Sequence, residues 1–212
     1  MLSQLTTDCA CFVDPLNCLA ITRFGPVKRQ SLCLFAKAAK LWGARDPATD
    51  QTSLEDYVRS SVPMLLQMLM RGEAEGFDGF IFEIRNSMCV GDISADVHAF
   101  AAAVRRVLVS ISLMDPTGEK SALKPYIADK AWHFVFARFP IFVTTFAPCY
   151  NASSSRFTYD ADENSGFILL QPEYSFLTHH LPQDTPHTNW DKPVTIRDRY
   201  FDSHNALSPG NQ

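Results

Sequence analysis

Apolar residues recur at helical spacing along much of the first half of the chain. The spacing predicts amphipathic helices over residues 31–43, 53–72 and 94–113, with Asp96 near the positive N-terminal end of the last one. Pro63 interrupts the second helix, and we expect a kink or a split there because proline lacks the amide hydrogen that the helix ladder requires. The first half is therefore predicted to be mainly helical.

Alternating apolar and polar positions predict strands farther along the chain. The predicted strands are residues 79–85, 132–137, 141–146 and 166–171. Residues 138–140 are predicted to turn the chain between the second and third strands, and Pro193 to begin a last helix that ends near Ser203. Helices followed by closely connected strands indicate an α+β fold, in which a mainly antiparallel sheet in the C-terminal half packs with N-terminal helices.

The size and composition of the chain suit one folded domain. It has 212 residues, of which 46% are hydrophobic, and its 16 Phe against nine Gly indicate a well-filled aromatic interior. We predict an N-terminal arm over residues 1–30, a single domain over residues 31–206 and a C-terminal tail over residues 207–212.

The charge pattern argues against a nucleic-acid partner, because 19 Lys and Arg against 23 Asp and Glu give a net charge of −4 and no basic run occurs. No apolar stretch has the length and character of a membrane span, and the first residues lack the basic region of a signal peptide. The six cysteines do not form a secreted disulfide pattern. We therefore expect a cytoplasmic protein with no membrane partner, whose apolar strands are compatible with a homodimer.

Cys33 is the first candidate for chemistry, since it lies at the start of a predicted helix with Lys37 one turn later. A helix N-terminus and a nearby ammonium group both lower the pKa of a thiol, so a thiolate could serve there as a nucleophile or an iron ligand. The alternative is a small buried cysteine on an apolar helix face.

A second candidate region follows the predicted strand that ends near Phe146. It contains Cys149 and three serines before Arg156, which could hold a carboxylate or phosphate-like group or could form a solvated loop. His133 interrupts the aromatic residues of another strand, where it could be a ligand or an exposed cross-strand residue. The common nucleotide, zinc and nucleophile-elbow signatures are absent from the sequence.

Several short motifs, taken in order, resemble the YqcI/YcgG family over about residues 31–204. They are Cys33-x-x-Ala36-Lys37-x-Ala39, Trp132-x-Phe134-x-Phe136, Ala147-Pro148-Cys149-Tyr150 leading to Ser155-Arg156, Gln171-Pro172-x-x-Ser175-Phe176, and Ile196-Arg197-Asp198-Arg199. Each motif is short, so the shared order carries the resemblance. The single domain over residues 31–206 would then be a YqcI/YcgG-like domain.

The resemblance implies a heme-dependent N-oxygenase, which would use heme b, O2 and an external electron donor to oxidise an amine or guanidine nitrogen of a small substrate. It places Cys33 first as the axial iron ligand, with His133 and Cys149 as alternates. In the family pattern a histidine often stands two residues before the arginine, where this chain has Ser154.

The remaining candidate residues take supporting roles in this hypothesis. Lys37 and Tyr150 would lie in the cofactor site, and Arg156, with Arg138 as a second choice, would pair with the heme propionates. The carboxylates that could receive a cationic substrate are Glu83, Glu173 and Asp160.

Two other functions compete with the N-oxygenase hypothesis. One is a non-catalytic heme-binding carrier or sensor. The other is an iron-free enzyme that uses Cys33 or Cys149 as its nucleophile.

Overall fold

A single five-stranded sheet organises the computed structural model, which describes residues 18–31, 34–49, 51–123 and 134–179. The helices are α1 (Leu19–Gln30), α2 (Leu34–Ala38), α3 (Leu54–Glu75), α4 (Val97–Leu113) and α5 (Glu173–Thr178). The strands are β1 (Leu41–Gly43), β2 (Gly79–Arg85), β3 (Phe134–Phe136), β4 (Phe139–Phe146) and β5 (Ser165–Pro172). Short 3-10 turns occupy Asn86–Met88 and Ser121–Leu123.

The strand order is β1-β2-β5-β4-β3. β2, β5, β4 and β3 pair antiparallel, whereas β1 pairs parallel to β2. The predicted α+β fold with a mainly antiparallel sheet is therefore confirmed, and the parallel strand β1 is an addition that the sequence pattern did not predict.

Alternation along the strands divides the core between the two faces of the sheet. Phe80, Phe82 and Ile84 point to one face, where they pack in the larger core with residues of α3 and α4. We call this the α3/α4 face. Ile81 and Phe167 point to the opposite face, which α1 covers and which we call the α1 face.

Helix α3 is continuous across Pro63, so the predicted split does not occur. Proline removes the bond from its own nitrogen to the carbonyl of Arg59, and both residues are exposed, so water can solvate that carbonyl. On the opposite side of the helix Val62 and Leu65 are buried in the core. Their packing holds the two halves of the helix together.

The predicted helix over residues 31–43 is wrong in its second half. The helix α2 ends at Ala38, and β1 follows as the parallel neighbour of β2. Gly43 is needed in this strand, because a Cβ atom there would lie 1.9 Å from the sulfur of Cys18. Long-range pairing with β2 overrides the helical spacing of this segment.

Residues 19–30, which fall in the predicted N-terminal arm, form the helix α1 and bury Phe24 and Val27 against the sheet. The predicted domain boundaries stay predictions. The tail over residues 207–212 and the predicted helix from Pro193 to Ser203 lie outside the described residues.

The predicted hairpin between β3 and β4 is present, although its turn lies at Ala137 and Arg138 instead of residues 138–140. Both turn residues have positive φ angles, 51° and 69°, which the two-residue turns of hairpins favour. The carboxylate of Asp115 accepts a hydrogen bond from the backbone N–H of Ala137 at 3.1 Å and so fixes the turn to the end of α4.

Within the described part of the chain, no helix combines the length and apolar character needed to cross a lipid bilayer.

Candidate functional site

Most of the described candidate residues lie near one end of the sheet. At this end β2 stops at Arg85, β4 stops at Phe146 and β5 begins at Ser165. We call it the Ser165 end, and the opposite end, where β5 stops and β4 begins, the Pro172 end.

Tyr150 and Cys149 follow β4 at the Ser165 end and pack on the α3/α4 face. The hydroxyl of Tyr150 lies 3.0 Å from the hydroxyl of Thr145, and its ring stands edge-on to Phe100 of α4 with centroids 6.0 Å apart. Both Tyr150 and Cys149 contact the larger core. Tyr150 is therefore fixed by hydrogen bonding and ring packing.

Cys149 is a half-buried free thiol in this position. Burial raises its pKa, and the negative charge of Asp96 at the start of α4 raises it further, whereas a hydrogen bond to its own backbone lowers it. The thiol form is consequently favoured at neutral pH, which does not suit a nucleophile.

Arg156 lies at the same end of the sheet but on the opposite face. Its guanidinium group stacks over the ring of Phe146 at 5.7 Å, and Phe146 contacts Phe24 of α1 with ring centroids 5.2 Å apart. The loop after β4 thus wraps around the end of the strand, and it places Arg156 on the α1 face and Tyr150 on the α3/α4 face.

The serines of this loop hold the loop itself. Ser154 donates its backbone N–H to the carbonyl of Asn151 at 2.8 Å, and its hydroxyl accepts the backbone N–H of Arg156 at 3.2 Å. Ser153 donates both its N–H and its hydroxyl to the side chain of Asn151. These contacts of Ser153 and Ser154 stabilise the turns, as the solvated-loop alternative predicts, and an anion site at Ser155 and Arg156 stays a prediction.

Arg138 is exposed in the hairpin turn at the Pro172 end. The eight residues of β4 separate it from the loop that carries Arg156, a distance of about 25 Å at roughly 3.3 Å per residue. The propionates of a heme leave the same edge of the porphyrin, so the two arginines cannot both pair with one heme. Lys37 is exposed on α2, and Cys33 and His133 lie outside the described residues.

Glu83 is the most enclosed of the three carboxylates that were candidates for a cationic substrate. It lies on the α1 face of β2 with 3% of its side chain exposed. Its Oε1 accepts hydrogen bonds from Nη1 of Arg23 at 2.8 Å and from the hydroxyl of Ser165 at 2.7 Å. Its Oε2 lies 3.4 Å from Nε and from Nη2 of Arg85.

The backbone around Glu83 is anchored from the other face of the sheet. The strand β1 ends at Gly43 and does not reach Glu83. The backbone N–H of Glu83 instead donates to the hydroxyl of Tyr57 at 3.2 Å. Burial raises the pKa of Tyr57, so its phenol remains neutral. The backbone of Glu83 is therefore fixed by a neutral phenol, that of Tyr57, on the face of the sheet opposite to its carboxylate.

The other two carboxylates are less enclosed. Asp160 is exposed and accepts a hydrogen bond from the side chain of Gln30 at 2.7 Å, and Glu173 begins α5 at the Pro172 end. The structure thus distinguishes Glu83 from the alternatives, and it identifies Arg23 and Arg85 as its cationic partners. The two charged residues of this mainly apolar strand, Glu83 and Arg85, were visible in the sequence, but nothing there indicated the contact with Arg23.

No model of a known protein family matches this chain, and no curated protein or solved structure is significantly similar to it. The resemblance to the YqcI/YcgG family consequently remains a hypothesis that the ordered short motifs carry.

The described residues by themselves do not fit a heme. Cys149 and Tyr150 lie on one face and Arg156 on the other, Arg138 lies at the far end, and Phe24 fills the space over Phe146 and Phe167 on the α1 face. Within the same described ranges, no group of three or more His, Cys, Asp or Glu side chains could hold a metal ion.

Proposed function

We propose that the protein is a heme-dependent oxygenase that uses O2 to oxidise an amine or guanidine nitrogen of a small amino-acid-like substrate. The observation that supports this proposal best is the carboxylate of Glu83, which is buried on a rigid strand. In this structure it already binds the guanidinium group of Arg23. A carboxylate with fixed hydrogen-bond donors around it suits recognition of a cationic nitrogen group.

In this proposal the iron ligand is Cys33, with His133 and Cys149 as the alternates. Heme would supply the oxidising chemistry, and an external donor would supply electrons. Of the described residues, Glu83 would bind the substrate cation, and Arg156 would pair with a propionate once Phe24 of α1 leaves the space that it fills in this structure. Phe146, on which Arg156 stacks, pairs with Phe167, and Phe167 pairs with Glu83 on the next strand. Glu83 and Phe146 are therefore about 10 Å apart across the sheet.

The first test is the absorption spectrum of protein purified from heme-supplemented cells, in the ferric, ferrous and ferrous–CO forms. We expect a stoichiometric Soret band that Cys33→Ala abolishes or strongly alters. Cys149→Ala is the matched control and should leave the spectrum unchanged. A colourless protein that also fails to take up added hemin would reject the proposal.

The propionate role has its own matched pair of variants. Arg156→Ala should weaken heme retention, measured by transfer of heme to an acceptor protein, whereas Arg138→Ala at the far end of β4 should not. Equal retention by both variants would contradict the role of Arg156.

A heme-binding carrier or sensor is the second candidate, because Arg23 occupies Glu83 in this structure and a substrate cation would first have to displace it. This function predicts the same Soret band with no turnover. Mass spectrometry of a panel of amines and guanidines, incubated with holoprotein, O2 and a reductant, separates the two candidates by the presence or absence of a product one oxygen atom heavier.

A further inference from the structure

The carboxylate of Glu83 belongs to a small polar site on the α1 face. Two different elements donate hydrogen bonds to the same oxygen, Oε1: Arg23 comes from α1, and Ser165 comes from the first residue of β5. Glu83 and Ser165 are both almost fully buried on paired strands. This half of the site is therefore rigid.

Arg23 is held less firmly in this polar site than Glu83 and Ser165. Its side chain is 34% exposed, and it binds Glu83 through one nitrogen, Nη1. The contrast within the same protein is Arg106, which grips Glu55 through both Nε and Nη2 at 2.7 Å each. A forked pair adds energy and geometric restraint that a single contact lacks.

A second acceptor lies close to Arg23 on the solvent side. The carboxylate of Asp162 is 3.9 Å from the same Nη1 atom and is 39% exposed. If another cation took the place of Arg23 beside Glu83, the buried carboxylate would stay paired, and Arg23 could remain beside Asp162. The exchange would therefore leave no buried charge without a partner, which is the costly outcome for such sites.

We infer that Glu83 and Ser165 form a subsite for a guanidinium cation, that Arg23 of the chain itself occupies this subsite in the structure, and that an incoming guanidine substrate displaces Arg23. The inference rests on the proposed function for the identity of the substrate, and it adds a regulatory contact: α1 competes with the substrate for Glu83.

Methylguanidinium is the appropriate probe, because it reproduces the group that Arg23→Ala removes. We expect calorimetry on the full-length protein to show binding to Arg23→Ala about tenfold or more tighter than to the wild type, in which Arg23 competes. Adding Glu83→Gln to Arg23→Ala should weaken binding by about tenfold or more, as expected for loss of a hydrogen bond to a charged group. Methylammonium, which lacks the planar fork, should bind more weakly than methylguanidinium.

Two controls keep the experiment decisive. Arg59→Ala removes an arginine from an exposed pair with Asp56 and should bind methylguanidinium no better than the wild type. If Arg23→Ala does not fold, Arg23→Gln retains most of the side chain and removes its charge. Circular dichroism establishes that each variant is folded.

Equal affinity of the wild type and the Arg23 variant would overturn the inference, as would undiminished binding after Glu83→Gln. These measurements need no heme, so the two proposals fail separately. Methylguanidinium binding in a protein that takes up no heme would support the subsite and reject the oxygenase. Heme uptake without methylguanidinium binding would support the oxygenase and reject the subsite.

Discussion

Burial of the Tyr174 phenol should make the folded protein less stable at high pH. The hydroxyl of Tyr174 donates to the sulfur of Met68 on α3 at 3.5 Å, and its ring stands edge-on to Phe139 of β4. Burial, together with the negative charges of Glu73 and Asp78, raises its pKa to about 12. The folded protein therefore favours the neutral phenol.

The size of the effect follows from linkage between ionisation and folding. A phenol in the unfolded chain ionises near pH 10, so the stabilisation by Tyr174 is complete below about pH 10 and is lost as the pH rises towards 12. The expected loss at pH 11 is about 1.4 kcal/mol. This is an upper value, because part of the ring remains in contact with water.

Urea unfolding of the wild type and Tyr174→Phe at pH 8 and pH 11 measures this loss. Groups other than Tyr174 titrate in both proteins and cancel in the comparison, so the wild type should lose more unfolding free energy than the variant between the two pH values. An equal loss in both proteins would refute the reasoning.

Three further predictions concern packing, an ion pair and a thiol. Gly166→Ala should cost about 1–3 kcal/mol in urea unfolding, because its Cβ would lie 2.4 Å from the buried ring of Phe100; an unchanged stability would show that the ring moves aside freely. Arg106 lowers the pKa of Glu55, so as the pH falls from 5 to 3 the wild type should lose more unfolding free energy than Glu55→Gln, by about 1 kcal/mol or less, and an equal loss in both proteins would contradict the role of this pair. Because burial raises the pKa of Cys149, iodoacetamide should modify it slowly at pH 7 and faster above pH 9 when the modified peptides are followed by mass spectrometry, and rapid modification at pH 7 would contradict this environment.

The local pattern of the sequence was sufficient to predict those elements whose apolar side chains recur at regular spacing. The bounds predicted for β2 agree with the structure, because Phe80, Phe82 and Ile84 alternate with residues that face α1. The long helix α4 was also predicted, since its apolar residues recur every three or four positions. In both cases nearest neighbours along the chain determine which side of the element is buried.

Pairing between distant segments accounts for the parts that the sequence did not predict. The three residues of β1 are all buried, so they show no alternation, and their strand conformation depends on contact with β2 almost 40 residues later. The pair of Arg23 and Glu83 spans 60 residues in the same way. Neither relationship leaves a local pattern from which it could be predicted.

The candidate residues around β4 show why motif order alone does not define a site. Cys149, Tyr150 and Arg156 are separated by only a few residues, and a single compact site was a reasonable expectation. The loop wraps around the end of the strand, however, so Tyr150 packs on Phe100 while Arg156 stacks on Phe146 across the sheet. Tyr150 and Arg156 are therefore close in sequence but lie on opposite faces of the sheet.

Access to the α1 face depends on two consecutive residues of α1. Phe24 packs on the rings of Phe146 and Phe167, and Arg23 binds Glu83 in the same row of the sheet. A substrate cation and a flat cofactor would both have to displace part of this one helix. The heme and cation proposals, although their tests are independent, thus depend on the same structural question, which is how firmly α1 is held. Its N-cap residue, Cys18, makes no side-chain capping hydrogen bond, and an exposed bond from the N–H of Leu19 to Asp46 fixes its first turn. The first turn of α1 is thus capped from a distant segment by one exposed contact, and loss of such a cap costs about 1 kcal/mol, so loosening this end of α1 would favour entry of a ligand to the α1 face.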